Sequence, residues 1–168
     1  EVQPNGTYSV SVPVADLAAL PQGDVPITAN VTDKAGNPAP EATDNFTKDT
    51  VAPVPTITLD PNITADDIIN TAESTQIIPI TGVVGGDAKV GDTVTLTING
   101  NTYTGVVDSA MKFSIDVQGS DLANDPDATI DASVSTKDVA GNIGTATDTE
   151  TYTNALNPIS ITNDLPIE

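Results

Sequence analysis

FSIDVQGSDLANDPDATIDASVSTKDVAGN, Phe113 to Asn142, decides how this chain is read, because an earlier stretch repeats it. Tyr8 to Asn37, YSVSVPVADLAALPQGDVPITANVTDKAGN, aligns with it without a gap at an offset of 105 residues. Asp16 falls on Asp121, Leu17 on Leu122, Asp33 on Asp138, and Ala35-Gly36-Asn37 on Ala140-Gly141-Asn142. The segments beyond also echo each other: Val51-Ala52-Pro53-Val54 resembles Leu156-Asn157-Pro158-Ile159. Self-similarity at a fixed period marks an array of modules, and the offset measures one of them.

A period of this size is close to the roughly 100 residues of an immunoglobulin-like sandwich. The pattern supports that class. Val54 to Leu59 alternates, Gln76 to Val84 is rich in isoleucine and valine, and Thr93 to Ile98 sets Val94, Leu96 and Ile98 on one face. Asn99-Gly100 follows, the preferred pair for a type I′ hairpin, and Thr102 to Val107 returns. Lys112 to Val117, Ala128 to Thr136 and Gly144 to Thr153 complete about seven strands. The expected fold is all-β, an immunoglobulin-like β-sandwich in tandem modules. Residues 53–157 form the complete module. Residues 1–52 are the second half of a preceding, incomplete or split module, and 158–168 a linker or the start of the next. Ala15 to Ala18 and Ser120 to Ala123 read as helical turns at matching places. Thr64 to Asn70 reads as a capped helix start, with Thr64 as N-cap and Asp67 three residues on.

Composition narrows the function. The chain has 168 residues, 24 acidic and five lysine, no arginine, histidine or cysteine, and a net charge of −19. Such a chain repels nucleic acid and anionic membranes. Without cysteine and histidine it excludes structural zinc, haem ligation, disulfides and Ser–His–Asp or Cys–His catalysis. No apolar run is long enough to span a membrane. No signal peptide is legible, which leaves a cytosolic chain or an internal fragment. Of the acidic residues, 19 are aspartate and only five glutamate. Aspartate sits well in turns and ligates hard cations from loops. Threonine is abundant at 25 residues and suits strands.

Two constellations follow. Asp60-Pro-Asn62-Ile-Thr64-Ala-Asp66-Asp67-Ile-Ile-Asn70-Thr-Ala-Glu73 packs carboxylates and amides onto one loop. It lacks the EF-hand order, yet offers most of the oxygens Ca2+ requires, through Asp60, Asp66, Asp67, Asn70 and Glu73. The other is Asp-x-Ala-Gly-Asn, at Asp33–Asn37 and Asp138–Asn142, each between two strands. Alone it is a turn, with glycine supplying positive φ. Asp33, Asn37 and linker Asp49 could also share a calcium with the Asp60–Glu73 loop at the module junction, and Asp138 and Asn142 repeat that arrangement. Adjacent acids such as Asp66 and Asp67, or Asp125 and Asp127, do not make a glycosidase where aromatics are only 3%. The threonines at 145, 147, 149, 151 and 153 share one strand face and read as solvent-facing. Tyr8, Tyr103, Phe113 and Tyr152 are expected in strands and core, with no exposed aromatic patch.

The repeated Asp-x-Ala-Gly-Asn turn, the DTVAP linker from Asp49 to Pro53, and TITLDPNITADDIINTAE from Thr56 to Glu73 resemble the extender modules of giant bacterial RTX adhesins. These are the bacterial Ig-like repeats of biofilm and ice-binding adhesins, the Marinomonas type in particular. The resemblance implies a non-catalytic spacer that stiffens with calcium and projects a distal binding domain. Its partners would be neighbouring modules of the same adhesin, with no nucleic acid, membrane insertion or small-molecule substrate. It implies export by a type I system to the bacterial surface. A split or terminal adhesin domain, itself holding carbohydrate, peptide or another cell, is the alternative.

Overall fold

The structure, a computed structural model, describes residues 6–155. The segment 158–168, read above as a linker or next module, lies outside the described residues. The chain divides into two compact units, Glu1–Val51 and Ala52–Glu168.

In the first unit a short helix α1 (Val14–Ala19) precedes an antiparallel hairpin, β1 (Gly23–Ala29) and β2 (Ala42–Lys48). The register sets Val25 opposite Phe46 and Ile27 opposite Asp44. Local bonds hold it together. The Lys48 ammonium donates to the carbonyls of Ala18 (2.8 Å) and Leu20 (2.5 Å) at the end of α1, and Gln22 exchanges two bonds with Thr50. Val25 is the one apolar side chain buried among the described residues of this unit.

The second unit holds β3 (Pro55–Leu59), β4 (Ile68–Ile69), β5 (Ile77–Gly86), β6 (Thr93–Ile98), β7 (Asn101–Val106), β8 (Lys112–Gln118), α2 (Gly119–Asn124), β9 (Thr129–Lys137), β10 (Ile143–Thr151) and β11 (Thr153–Asn154). A three-stranded sheet, β3-β5-β8, faces a four-stranded one, β10-β9-β6-β7. This is the expected immunoglobulin-like sandwich, and the two-residue alternation explains why it forms. Ile57, Leu59, Ile78, Ile80, Val84, Phe113, Ile115 and Val117 point inward from one sheet, and Val94, Leu96, Ile98, Ile130, Ala132 and Val134 from the other. Each fully buried aliphatic side chain contributes about 1.5–3 kcal/mol. Leu122 of α2 is buried in the same core.

Asn99 and Gly100 both have positive φ, 50° and 75°, the type I′ geometry that joins β6 to β7. Gly144 allows β10 to pass against the backbone carbonyl of Pro53, where a Cβ would collide. The outward threonines of β10 and β11 are exposed, as the alternation requires. Phe113 and Tyr152 lie in the core and Tyr103 packs on it, but Tyr8 is exposed, contrary to the sequence reading.

Candidate metal centre

The Asp60–Glu73 loop is anchored by its isoleucines. Ile63 and Ile69 are buried in the core, with Ile69 fully so. β4 pairs in parallel with β11, Ile68 with Thr153 and Ile69 with Asn154. The helix expected from Thr64 does not form. Asp67 takes φ of 58°, in the left-handed region, and Ile68–Ile69 is extended. The Thr64 hydroxyl accepts a bond from the Ile68 amide (3.2 Å), as does Asp66 Oδ1 (3.3 Å). Short polar side chains competing for backbone N–H groups, together with the burial of Ile69, override the capping signal. The only helical turn in this stretch is the 3-10 turn Glu73–Thr75.

The loop's acids are partly spent on its own backbone. Asp67 Oδ1 accepts from the Ile63 amide (3.3 Å), and Asn70 Oδ1 from Ala72 and Glu73 (2.9 and 3.1 Å). Glu73 Oε2 accepts from the Asn70 amide (3.1 Å), and Asp60 Oδ2 from the Thr81 hydroxyl (2.5 Å).

The fold also gathers acids that lie far apart in sequence. The Glu150 carboxyl is held above its usual range by lost hydration first, then by the negative charges of Asp67 and Asp148. Asp148 is itself fixed by the Leu59 amide, 2.8 Å from Oδ2. A second cluster joins Asp125, Asp127 and Asp131. Asp125 is buried and accepts from the Thr129 amide (3.1 Å) and the Tyr152 hydroxyl (3.2 Å). Its contact with Asp127 raises the Asp127 carboxyl above the normal range; lost hydration and the charges of Asp125 and Asp131 add to the effect. The Tyr152 hydroxyl also donates to the Leu122 carbonyl (2.8 Å), and burial, then Asp125, raises its pKa well above that of free tyrosine. Sequence reading missed Asp148, Glu150 and the role of Asp125, because nothing in one sequence shows which strands meet.

Every donor in these clusters is a hard oxygen, which suits calcium and not a thiophilic metal. Among the described residues no three acidic side chains lie close enough to hold an ion by themselves. Calcium takes 6–8 oxygens, so amide and backbone oxygens would complete any site on the loop. On donor chemistry the residues fit the ion.

The two Asp-x-Ala-Gly-Asn turns have the same construction. Asp33 Oδ1 accepts from the Ala35 and Asn37 amides (2.8 and 2.9 Å) and Oδ2 from the Asn37 side chain (2.8 Å). Asp138 does the same with Gly141 and Asn142 (2.7 and 2.8 Å to the amides, 2.7 Å to the Asn142 side chain). Both carboxyls are held below the usual range, chiefly by the asparagine side chain. Gly36 and Gly141 supply the positive φ of 89° and 100°. Asp49 Oδ1 accepts from the Val51 amide (3.0 Å).

No family model and no curated protein matches the chain. Solved structures do. A bacterial immunoglobulin-like domain from the M. primoryensis ice-binding adhesin is 45% identical, with a TM-score of 0.54, over 61% of this chain and 96% of that one. The chain belongs to the bacterial immunoglobulin-like domains of large ice-binding adhesins. A calcium-stabilised adhesin with which an Antarctic bacterium reaches out and binds ice is 42% identical over 90% of this chain, with a TM-score of 0.72. A 1.5-MDa bacterial ice-binding adhesin, studied for host cell surface retention, is 41% identical over 90%, with a TM-score of 0.65. This chain spans 36% and 48% of those two, respectively. The chain is a non-catalytic module of a repetitive cell-surface adhesin.

Proposed function

We propose that this chain is a calcium-stiffened extender segment of a repetitive bacterial surface adhesin, exported by a type I system, that projects a distal binding domain from the cell. The observation that supports it most is geometric: Asp66 and Asp67 stand between the buried Ile63 and Ile69 on a loop pinned to the core, and Asp67 lies near enough to Glu150 of β10 for its charge to act there. A related adhesin that is calcium-stabilised supports the choice of ion. Asp60, Asp66, Asp67, Asn70 and Glu73 would hold calcium on the loop. Asp33 with Asn37, and Asp138 with Asn142, would each take part only at their own turn. The β1–β2 register leaves Asp33–Asn37 past the Ala29–Ala42 end and Asp49 past the Gly23–Lys48 end, about 20 Å away, so the single ion expected from Asp33, Asn37 and Asp49 together does not form. Asp138–Asn142 lies at the end of β9–β10 away from Thr151.

When bound, the ion supplies positive charge that cancels repulsion among these acids. The chain's own part is to hold its oxygens in place. Ile63 and Ile69 fix the loop on the sandwich, Asx bonds set the carboxylate directions, and Pro53 restricts both itself and Ala52 in the linker. A linker without a glycine or serine run flexes less, and a spacer needs that property. The neighbouring modules are its partners.

Small-angle scattering of a chain of two complete modules tests this reading. It predicts an elongated particle in calcium that becomes markedly more flexible in chelator or with Asp49→Ala. A particle indifferent to both would overturn it.

A further inference from the structure

Among the described strands longer than two residues, β3 and β8 end one sheet, β10 and β7 end another, and β1 and β2 form a hairpin of their own. All of these but β7 are guarded. Pro55 in β3, Lys112 in β8, Asp148 in β10, Asp24 in β1 and Lys48 in β2 each put a proline or a charge on the strand, the devices that keep a sheet edge from pairing with another chain. β7, Asn-Thr-Tyr-Thr-Gly-Val, has neither. It lies within Thr93–Val107, the longest uncharged run in a chain of net charge −19. Its edge is also accessible. Ile98 pairs with Asn101 across the two-residue turn, so Thr102, Thr104 and Val106 turn their backbone N–H and C=O groups away from β6. The side chains of all three are exposed, Val106 at 63%.

We propose that β7 is a self-pairing edge: two copies of this chain join β7 to β7, antiparallel, about a two-fold axis at Thr104. The strand is complementary to itself in that register. Thr104 meets Thr104 of the second copy, Thr102 meets Val106, and Tyr103 meets Gly105. Residues 102, 104 and 106 are the ones whose backbone groups face outward, so each of these pairs exchanges both of its backbone bonds. Their side chains form threonine–threonine and threonine–valine cross-strand pairs, which stabilise sheets. Tyr103 packs on the core, and the bare Gly105 opposite leaves its ring room across the joint, as an aromatic finds opposite an edge glycine. Asp108, the first charge beyond β7, falls opposite Gly100 of the second copy, so no like charges face each other along the seam. The contact is short, so the dimer is weak and concentration-dependent, and salt strengthens it by screening the charge of the two copies. This goes beyond the extender reading and rests on β7, not on calcium.

Cysteine cross-linking and sedimentation of the 168-residue chain, both in excess calcium, test it. The chain has no cysteine, so one substitution gives one thiol. The axis sets the two Thr104 Cα atoms about 5.5 Å apart, inside the span of a disulfide, while the two Thr102 residues are offset along the strands by well over that span. Thr104→Cys should therefore cross-link about tenfold faster or more than Thr102→Cys under mild oxidation. In sedimentation the unsubstituted chain should gain mass as its concentration rises, and more so at higher salt. Thr104→Lys should hold it monomeric with an unchanged Tm. Thr145→Lys, the same charge change at an exposed position of β10 in the same sheet, should leave the association as it was. Four outcomes overturn the proposal: a chain that stays monomeric at every concentration, equal cross-linking at 102 and 104, an association that survives Thr104→Lys, or one that Thr145→Lys abolishes as well. Exchange protection of the Thr102, Thr104 and Val106 amides that does not depend on concentration would also overturn it, because another segment of the same chain would then cover the edge.

Discussion

Replacing Ile69 with alanine probes the link between the core and the acidic loop. Ile69 is fully buried, two residues after Asp67. Truncating a buried isoleucine to alanine removes three carbons and leaves a cavity, at a cost of about 2–5 kcal/mol. For a module of about 100 residues each kcal/mol lowers Tm by about 4 °C, so Ile69→Ala should lower it by about 8–20 °C. Ile77→Ala, at a position 57% exposed, is the control and should shift Tm by no more than about 2 °C. Thermal unfolding followed by circular dichroism suffices. The same loss should reduce the Tm increment that calcium confers, because Ile69 holds Asp66 and Asp67 in position. A drop within about 3 °C would refute the packing argument. A full drop with an undiminished calcium increment would refute the assignment of the ion to this loop.

Asp66→Ala and Asp67→Ala should weaken calcium binding in titration calorimetry more than Asp108→Ala, whose carboxylate only closes a turn on the Ala110 and Lys112 amides; equal affinity and stoichiometry in all three would count against the loop. In chelator Glu150→Gln should raise Tm by a few degrees near neutral pH. A raised pKa contributes stability only below the unfolded value and loses it as pH rises through the folded one, so the benefit should vanish in mild acid. Asp138→Ala should do the opposite. Its lowered pKa contributes above the ordinary carboxylate value of about 3.9 and is lost as pH falls through the folded one, so the variant should be less stable at neutral pH and indistinguishable in strong acid.

The strands were legible because alternation is a local signal. Thr93–Ile98 occupies the predicted positions, and Asn99-Gly100 takes the φ values its residue types favour. The failure at Thr64 has the same local origin with the opposite sign: Thr64, Asp66 and Asp67 serve a helix cap and a loop equally well, and burial of Ile69 decides for the loop. The acid clusters were illegible because about 80 residues separate Asp67 from Asp148 and Glu150. They meet only when β4 pairs with β11 and the backbone amide of Thr153 reaches the Asp67 carbonyl (3.0 Å). Tyr8 is an aromatic at the position that aligns with Phe113, but the strands that cover Phe113 have no counterpart in the described residues of the first unit, and it is exposed.

The central claim is that calcium is part of this module's stability. Thermal unfolding of the full chain in excess calcium and in chelator, at matched ionic strength, tests it most directly. One site filled to about 100 times its Kd stabilises the native state by about 2.7 kcal/mol, or roughly 10 °C for a module this size. The account predicts a separation well above 10 °C from several sites, with magnesium a poor substitute because it prefers octahedral, partly hydrated coordination. Superimposable melts would contradict it.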